Sequence, residues 1–268
     1  MWAMATVLGQ IDFFFEKKWP QPNQNRDSTC LWIKLLQPNL YAMELTKITY
    51  ALMRHPLFAG LSHENLDFLA HRAKFGKTER YQFIYMPDET STQFYLLLSG
   101  TVKLGYFKAD GREVIKEMVK PGTTFGESVI LDNSPRPDFA QAQHEQTTWL
   151  AIQSADFQRL MRENFSFTLA FLKFLNQRLN QVEDRVNSLI LKDARSRIVA
   201  FLHKTAGCEG RKFGHETLVK HHLTQQDIAS LTGTSRQTVT SVLNELKKNN
   251  LIHFNRTSFL IRDLEKLA

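Results

Sequence analysis

The spacing of apolar positions changes character twice along this chain, and each change predicts a different kind of structure. Between about Arg80 and Ile152 the apolar residues come in short runs. These are Phe83-Ile84-Tyr85-Met86, Phe94-Tyr95-Leu96-Leu97-Leu98, the alternating Thr101-Val102-Lys103-Leu104-Gly105-Tyr106, and Thr147-Thr148-Trp149-Leu150-Ala151-Ile152. Turn chemistry separates them at Pro87-Asp88-Glu89, Ser99-Gly100, Asp110-Gly111 and Pro121-Gly122. Asp110-Gly111 is a strong hairpin signal because both residue types tolerate positive φ. Several short strands at this spacing predict an antiparallel barrel or jelly roll.

Helical spacing then takes over. Leu172, Leu175, Leu179, Val182, Val186 and Leu189 step by 3, 4, 3, 4 and 3, an unbroken heptad series with polar residues on the other faces. A seam this narrow is what a two-stranded coiled coil buries, whereas a helix packed on its own domain usually carries a wider stripe. The sequence therefore predicts dimerisation through this helix.

The third pattern is denser. Asp193 can cap a helix from Ala194, and Thr224 can cap another with Asp227 as acidic partner in its first turn. Ala229 is small where two helices would cross, and Gly233 stands where the following turn needs a left-handed residue. Ser235 caps a further helix whose apolar stripe is Val239, Val242, Leu243 and Leu246. This predicts a helix-turn-helix with Arg236, Gln237, Thr240 and Ser241 on the outer face of its second helix. Arg can donate bidentately to guanine and Gln to adenine, while the hydroxyls of Thr234, Ser235 and Thr238 suit phosphates. Two short apolar runs flank Asn255-Arg256-Thr257 and read as a wing with Arg256 at its tip on backbone phosphate.

Charge sharpens the picture. The 268 residues carry a net charge of +7. Residues 192–268 hold 13 Lys and Arg against 7 Asp and Glu, whereas residues 43–191 hold 17 of each. Localised basicity is the footprint of a phosphate-binding surface. Hydrophobic content of 43% with 20 Phe is ample for packed cores. No apolar run approaches the roughly 18–20 residues that span a bilayer. With no secretory signal pattern and only Cys30 and Cys208, free thiols in a cytoplasmic protein are expected. Residues 1–42 show no sustained period and contain the breaker-rich stretch 21–27. They read as a poorly structured upstream extension, with Met43 as the natural start.

In this order the pieces resemble the Crp/Fnr family of regulators. The resemblance runs from about Met43 to Ala268 and rests on Phe125-Gly126-Glu127, the Leu172–Leu189 seam, Asp193, and Ser235-Arg236-Gln237-Thr238-Val239. It implies an α+β chain with a double-stranded β-helix (jelly-roll) barrel of cyclic-nucleotide-binding type over 43–164, a dimerisation helix over 165–191 and a winged helix-turn-helix over 192–268. It also implies a homodimer on palindromic double-stranded DNA, with RNA polymerase as a further partner if the chain is an activator. Gly126, Glu127 and Arg136 match the effector-site pattern in which Arg holds a cyclic phosphate and Glu a ribose hydroxyl. After Arg136, however, come Pro137, which lacks an N–H, and Asp138, which adds negative charge. Val182 and Glu183 also stand where cyclic-AMP-binding members offer hydroxyls. The sequence therefore argues against cyclic AMP and makes Arg136 a structural or solvated loop residue. Two cysteines are too few for a four-Cys iron–sulfur cluster, and His71 or His144 alone is a weak case for haem.

Two other classes were weighed against this reading. A signalling module with a vestigial helix-turn-helix would pair a complete phosphate cassette with a damaged recognition helix, the reverse of what is found. An enzyme lacks support because there is no Walker-type loop, His-Glu-x-x-His motif or Gly-x-Ser-x-Gly elbow. No metal site is expected.

Overall fold

The computed structural model describes residues 45–131, 134–221 and 223–267. The expectation for residues 1–42 lies outside the described residues. Leu45–Ala268 form one compact unit.

A helix over residues 45–54 (α1) and a second, His63–Arg72 (α2), precede the strands. Ser62 caps α2 by accepting from the Asn65 N–H. Eight strands follow: Lys74–Thr78 (β1), Phe83–Tyr85 (β2), Gln93–Ser99 (β3), Val102–Phe107 (β4), Glu113–Val119 (β5), Thr124–Phe125 (β6), Phe139–Ala142 (β7) and Thr147–Gln153 (β8). A 3-10 turn, Glu127–Ile130, follows β6.

These strands make two open four-stranded antiparallel sheets, ordered β1-β8-β3-β6 and β2-β7-β4-β5. The expected barrel is thereby corrected, because neither sheet closes. Closure needs hydrogen bonding between edge strands, and among the described residues no pairing joins β1, β6, β2 or β5 to a further strand. Two of those edges, β2 and β6, are only three and two residues long. The sheets are held by side chains instead, with Tyr85, Tyr95, Leu97, Val102, Leu104, Val119, Phe125, Ala140 and Ala151 in one core. Alternation along a strand reports a buried face, not the joining of edges.

A second core lies between the first sheet and the helices. There Leu52, Phe58, Leu69, Phe94, Ile152, Phe157, Phe167 and Phe171 pack together. Helix Ser154–Glu163 (α3) and the 27-residue helix Phe165–Leu191 (α4) supply the last three of these. Only Phe167 and Phe171, near the start of α4, are fully buried, with Phe174 and Leu175 partly buried against them, and the helix beyond runs out past that core.

Helix Ala194–Glu209 (α5) begins the C-terminal part, capped by Asp193 through the Ser196 N–H at 2.7 Å. The Ser196 bonds hold the Asp193 carboxyl below the usual carboxylate range. Strands Arg211–Phe213 (β9) and Glu216–Lys220 (β10) precede helices Gln225–Thr232 (α6) and Arg236–Lys248 (α7). Strands Ile252–Phe254 (β11) and Ser258–Ile261 (β12) follow. The predicted two-stranded wing is part of a larger sheet ordered β11-β12-β10-β9. Ile198, Leu202, Val219, Ile228, Val239, Leu246, Phe259 and Ile261 form its core against the helices.

Candidate nucleic-acid interface and effector site

The two helices α6 and α7 are set by caps that can be traced bond by bond. Thr224 and Asp227 form a reciprocal capping box: the Asp227 N–H donates to Thr224 Oγ1 at 3.2 Å and the Thr224 N–H to Asp227 Oδ2 at 2.7 Å. Gly233 ends α6 in the left-handed region, with φ of 62°. Ser235 caps α7 by accepting from the Thr238 N–H at 3.0 Å. Arg197 on α5 locks the turn from behind, donating to the carbonyls of Thr232 at 2.9 Å and Gly233 at 3.0 Å. These are carbonyls that a helix end leaves without intrahelical partners.

The residues expected to face DNA divide into two groups. Arg236, Gln237 and Ser241 are exposed near the positive N-terminal end of α7. Thr234, Thr238 and Thr240 are half-buried, and their hydroxyls are tied internally. Thr234 Oγ1 lies 3.0 Å from Thr232 Oγ1, Ser235 Oγ lies 2.8 Å from Thr238 Oγ1, and Thr240 donates to Gln225 Oε1 at 2.6 Å. Arg256 is exposed in the β11–β12 turn, which Asn255 organises by accepting the N–H groups of Thr257 and Ser258.

The heptad residues lie on α4 largely uncovered. Leu172, Leu179, Val182, Val186 and Leu189 are exposed, Val182 by 59%, while Leu175 is half-buried against the helical core.

The effector-site residues converge between the two sheets. Gly126 adopts a φ of 74°, and the carbonyl it presents accepts from Arg136 Nη1 at 2.7 Å. Arg136 is 1% exposed, so it is not solvated. Its Nη2 donates to Ser91 Oγ at 2.8 Å and to the Gln93 carbonyl. The guanidinium lies 4.3 Å from the Tyr85 ring centre and 5.5 Å from that of Tyr95. Among the described residues its Nε has no acceptor. Glu127 is held by the Thr124 hydroxyl at 2.7 Å and by Arg178 of α4 at 2.8 Å.

Sequence reasoning passed over three arginines, two on α4 and one on α5 behind the helix-turn-helix turn. Arg178 binds Glu117 at 2.9 Å and the Thr124 carbonyl at 2.7 Å as well as Glu127. Burial works against its charge, and Glu127 and Glu117 more than restore it. Arg185 donates to the Lys116 carbonyl on β5 at 2.5 Å and to the Leu231 carbonyl on α6 at 3.2 Å. Arg197 is the third. Arg178 and Arg185 stand one heptad apart beside the seam, which was the available signal.

A regulator with an effector-type sheet domain and a DNA-reading helix-turn-helix is the class these features define. A Crp-like helix-turn-helix domain matches residues 196–268 and a cyclic nucleotide-binding domain matches residues 77–164. The chain is 28% identical over 222 residues to the CRP-like cAMP-activated global transcriptional regulator of Mycobacterium tuberculosis, covering 81% of this chain and 96% of that one. It is 28% identical to the cyclic AMP receptor protein of Thermus thermophilus, covering 80% and 96%. A CooA structure from Carboxydothermus hydrogenoformans matches with a TM-score of 0.61 at 28% identity, over 74% of this chain and 87% of that one. The chain belongs to the Crp/Fnr family of bacterial transcriptional regulators. Members are transcription factors rather than enzymes, and so is this protein. No helix among the described residues is long and apolar enough to cross a membrane.

The expectation against cyclic AMP is corrected by these relatives, several of which are named as cAMP-activated regulators and one as a cyclic AMP receptor. The structure supplies a physical reason. Asp138, which was taken to repel an anion, is buried and already engaged by Lys116 at 2.7 Å and by the Tyr85 hydroxyl at 3.2 Å. Burial pulls the Lys116 pKa down, but the Asp138 hydrogen bond and charge outweigh it and hold Lys116 protonated. The negative charge is thus balanced on the spot.

Proposed function

We propose that the protein regulates transcription as a homodimer on a two-fold symmetric DNA site, one α7 entering each of two successive major grooves. The observation that carries this reading is the exposed face of Arg236, Gln237 and Ser241 at the start of α7, in the segment that holds the excess positive charge. Thr240 stands beside them with its hydroxyl on Gln225, and Thr234, Ser235, Thr238 and Arg256 border that face, where phosphate contacts would fall. The uncovered seam Leu172, Leu179, Val182, Val186 and Leu189 supports pairing of two α4 helices side by side as a parallel coiled coil. Such pairing places both α7 helices on one side of the dimer. In this division 43–164 senses, 165–191 pairs the subunits and 192–268 binds DNA.

The sensed molecule is a cyclic nucleotide, with Arg136 on its phosphate and Glu127 on its ribose. The buried guanidinium with a spare Nε supports this, as do the names of the relatives. The chain's own Gly126 and Gln93 carbonyls and Ser91 hydroxyl now accept from Arg136, so a phosphate would have to exchange with them. A dimer that activates would also contact RNA polymerase.

The test is selection of binding sites from random duplex DNA by the full chain, with and without cyclic AMP. A palindromic consensus is expected, enriched more strongly with the nucleotide. Asymmetric or absent enrichment in both arms sinks the dimeric reading, and identical enrichment sinks the cyclic-AMP reading alone.

A further inference from the structure

The heptad numbering of α4 assigns a role to a charge that has no partner among the described residues. With Leu172, Leu179 and Val186 at the first apolar position and Leu175, Val182 and Leu189 at the second, the flanking positions follow by counting. Phe171, Arg178 and Arg185 precede the first apolar position, and Asn176, Glu183 and Ile190 follow the second. In a parallel two-stranded coil, a residue of the first kind faces the residue five places further along on the other helix, and charges there set partner and orientation. The facing pairs are Phe171 with Asn176, Arg178 with Glu183, and Arg185 with Ile190. Arg178 with Glu183 is the one oppositely charged pair of the three.

The structure shows what each member is doing without a second subunit. Glu183 is exposed and forms no hydrogen bond or ion pair among the described residues. Arg178 is half-buried, and its bonds to Glu117, Glu127 and the Thr124 carbonyl use Nη1 and Nη2. A guanidinium has five N–H donors, so Nε and one further hydrogen remain for an acceptor outside the chain. Two carboxylates of the same subunit already converge on Arg178, and Glu127 is one of the residues assigned to the effector.

We propose that the partner's Glu183 pairs with Arg178 across the dimer seam, so that the arginine holding the effector-site Glu127 is itself oriented by the second subunit. The inference rests on the parallel dimer of the preceding section. The partner's Glu183 acts as a positioning residue: it touches no ligand, and it links occupancy at Glu127 to the packing of the two α4 helices. A carboxylate drawn away from Arg178 by a ligand leaves the arginine freer to close on the partner's Glu183. The change at the effector site thereby reaches the dimer seam without any new contact.

The experiment is subunit exchange between differently tagged full-length chains carrying Glu183→Lys and Arg178→Glu. Each homodimer places like charges opposite one another twice, while the heterodimer places opposite charges there twice. We expect the heterodimer to be enriched about fivefold or more over the statistical ratio in native mass spectrometry, the size two exposed pairs allow. A statistical mixture overturns the proposal. If Arg178→Glu does not fold, Glu183→Lys alone decides: its dimer dissociation constant should rise about fivefold to tenfold, with Glu183→Gln in between, and an unchanged constant overturns the proposal. Leu179→Asp is the control for the seam itself. If it leaves the dimer intact, the dimeric reading and this inference fall together. If it dissociates the dimer while Glu183→Lys does not weaken it, only the inference falls.

Discussion

A Cβ built on Gly233 would lie 2.5 Å from Cδ2 of Leu189, so the end of α4 rests on the turn of the helix-turn-helix. The same glycine has a φ of 62°, which L-residues adopt at a cost of about 1–2 kcal/mol. Leu189 can swing aside from a methyl group, but the backbone strain stays. Gly233→Ala should therefore lower stability by about 1–2 kcal/mol in denaturant titration. A variant as stable as the parent would show that the turn relaxes to another conformation.

Arg236 is exposed one residue after the cap of α7. Arg236→Ala should cost about 1–3 kcal/mol of specific binding and relax preference at one base position in each half-site. Equal discrimination at every position by parent and variant would rule out a base contact and leave Arg236 a phosphate ligand.

Asp138 joins Lys116 to Tyr85 beside the proposed effector site. Removing the carboxylate leaves the buried Tyr85 hydroxyl without its acceptor and Lys116 without its counter-charge. Lys116 is 41% exposed and can be solvated, so Asp138→Ala should cost about 1–3 kcal/mol rather than the larger penalty of a sealed ion pair. Thermal unfolding of the two proteins measures it, and an unchanged midpoint would contradict the balance of charge described above.

His55 is buried, packs at a tilt against the rings of Phe58 and Phe174, and accepts the Leu57 N–H on its Nδ1 at 3.2 Å. Burial holds its pKa below the ordinary 6.5, helped by Arg178 and opposed by Glu127. A lowered pKa in the folded protein means that the unfolded chain binds the proton first. Stability is therefore full above 6.5 and falls as the pH drops toward the folded value, by at most about 1.4 kcal/mol per pH unit. His55→Asn keeps an acceptor but does not titrate. It should flatten the stability profile between about pH 6.5 and 5.5, where ordinary carboxylates stay ionised. Parallel profiles for the two proteins would place the acid sensitivity elsewhere.

Arg185 ties α4 to the Lys116 carbonyl on β5 and to the Leu231 carbonyl at the end of α6. Both bonds are exposed, so Arg185→Ala should leave global stability nearly unchanged. It should instead speed amide exchange around residues 231–233 and along β5, where local opening no longer breaks the bridge. Unaltered protection in both places would mean that packing alone holds these elements together.

Elements governed by local periodicity and caps were readable in advance. The helix of α4, the Thr224 and Ser235 caps, the Gly233 turn and the apolar stripe of α7 each depend on residues within a few positions of one another. Strands β9 and β10 were missed because Arg211-Lys212-Phe213 and Glu216-Thr217-Leu218-Val219-Lys220 are short and mostly polar, and pairing of β10 with β12 and of β9 with β10 decides them. The hydroxyls of Thr234, Ser235 and Thr238 were read as placed for phosphate, yet Thr234 Oγ1 lies against Thr232 Oγ1 and the hydroxyls of Ser235 and Thr238 lie against each other.

The effector site marks the division most clearly. Gly126, Glu127 and Arg136 were singled out through the family resemblance, whereas the order of sheet domain, long helix and helix-turn-helix was legible in the periodicity itself. Whether Asp138 opposes an anion was not, because the answer depends on Lys116 and Tyr85, which are 22 and 53 residues away. The same holds for the open sheets, for Arg178 on Glu127 and for Leu189 on Gly233. The sequence by itself determined the long helix, the helix-turn-helix with its caps and the residue types offered at each face, because these obey short-range rules. Only the tertiary structure decided which charges are balanced, which edges stay open and which carbonyls the arginines reach, because those depend on distances between groups far apart in the chain.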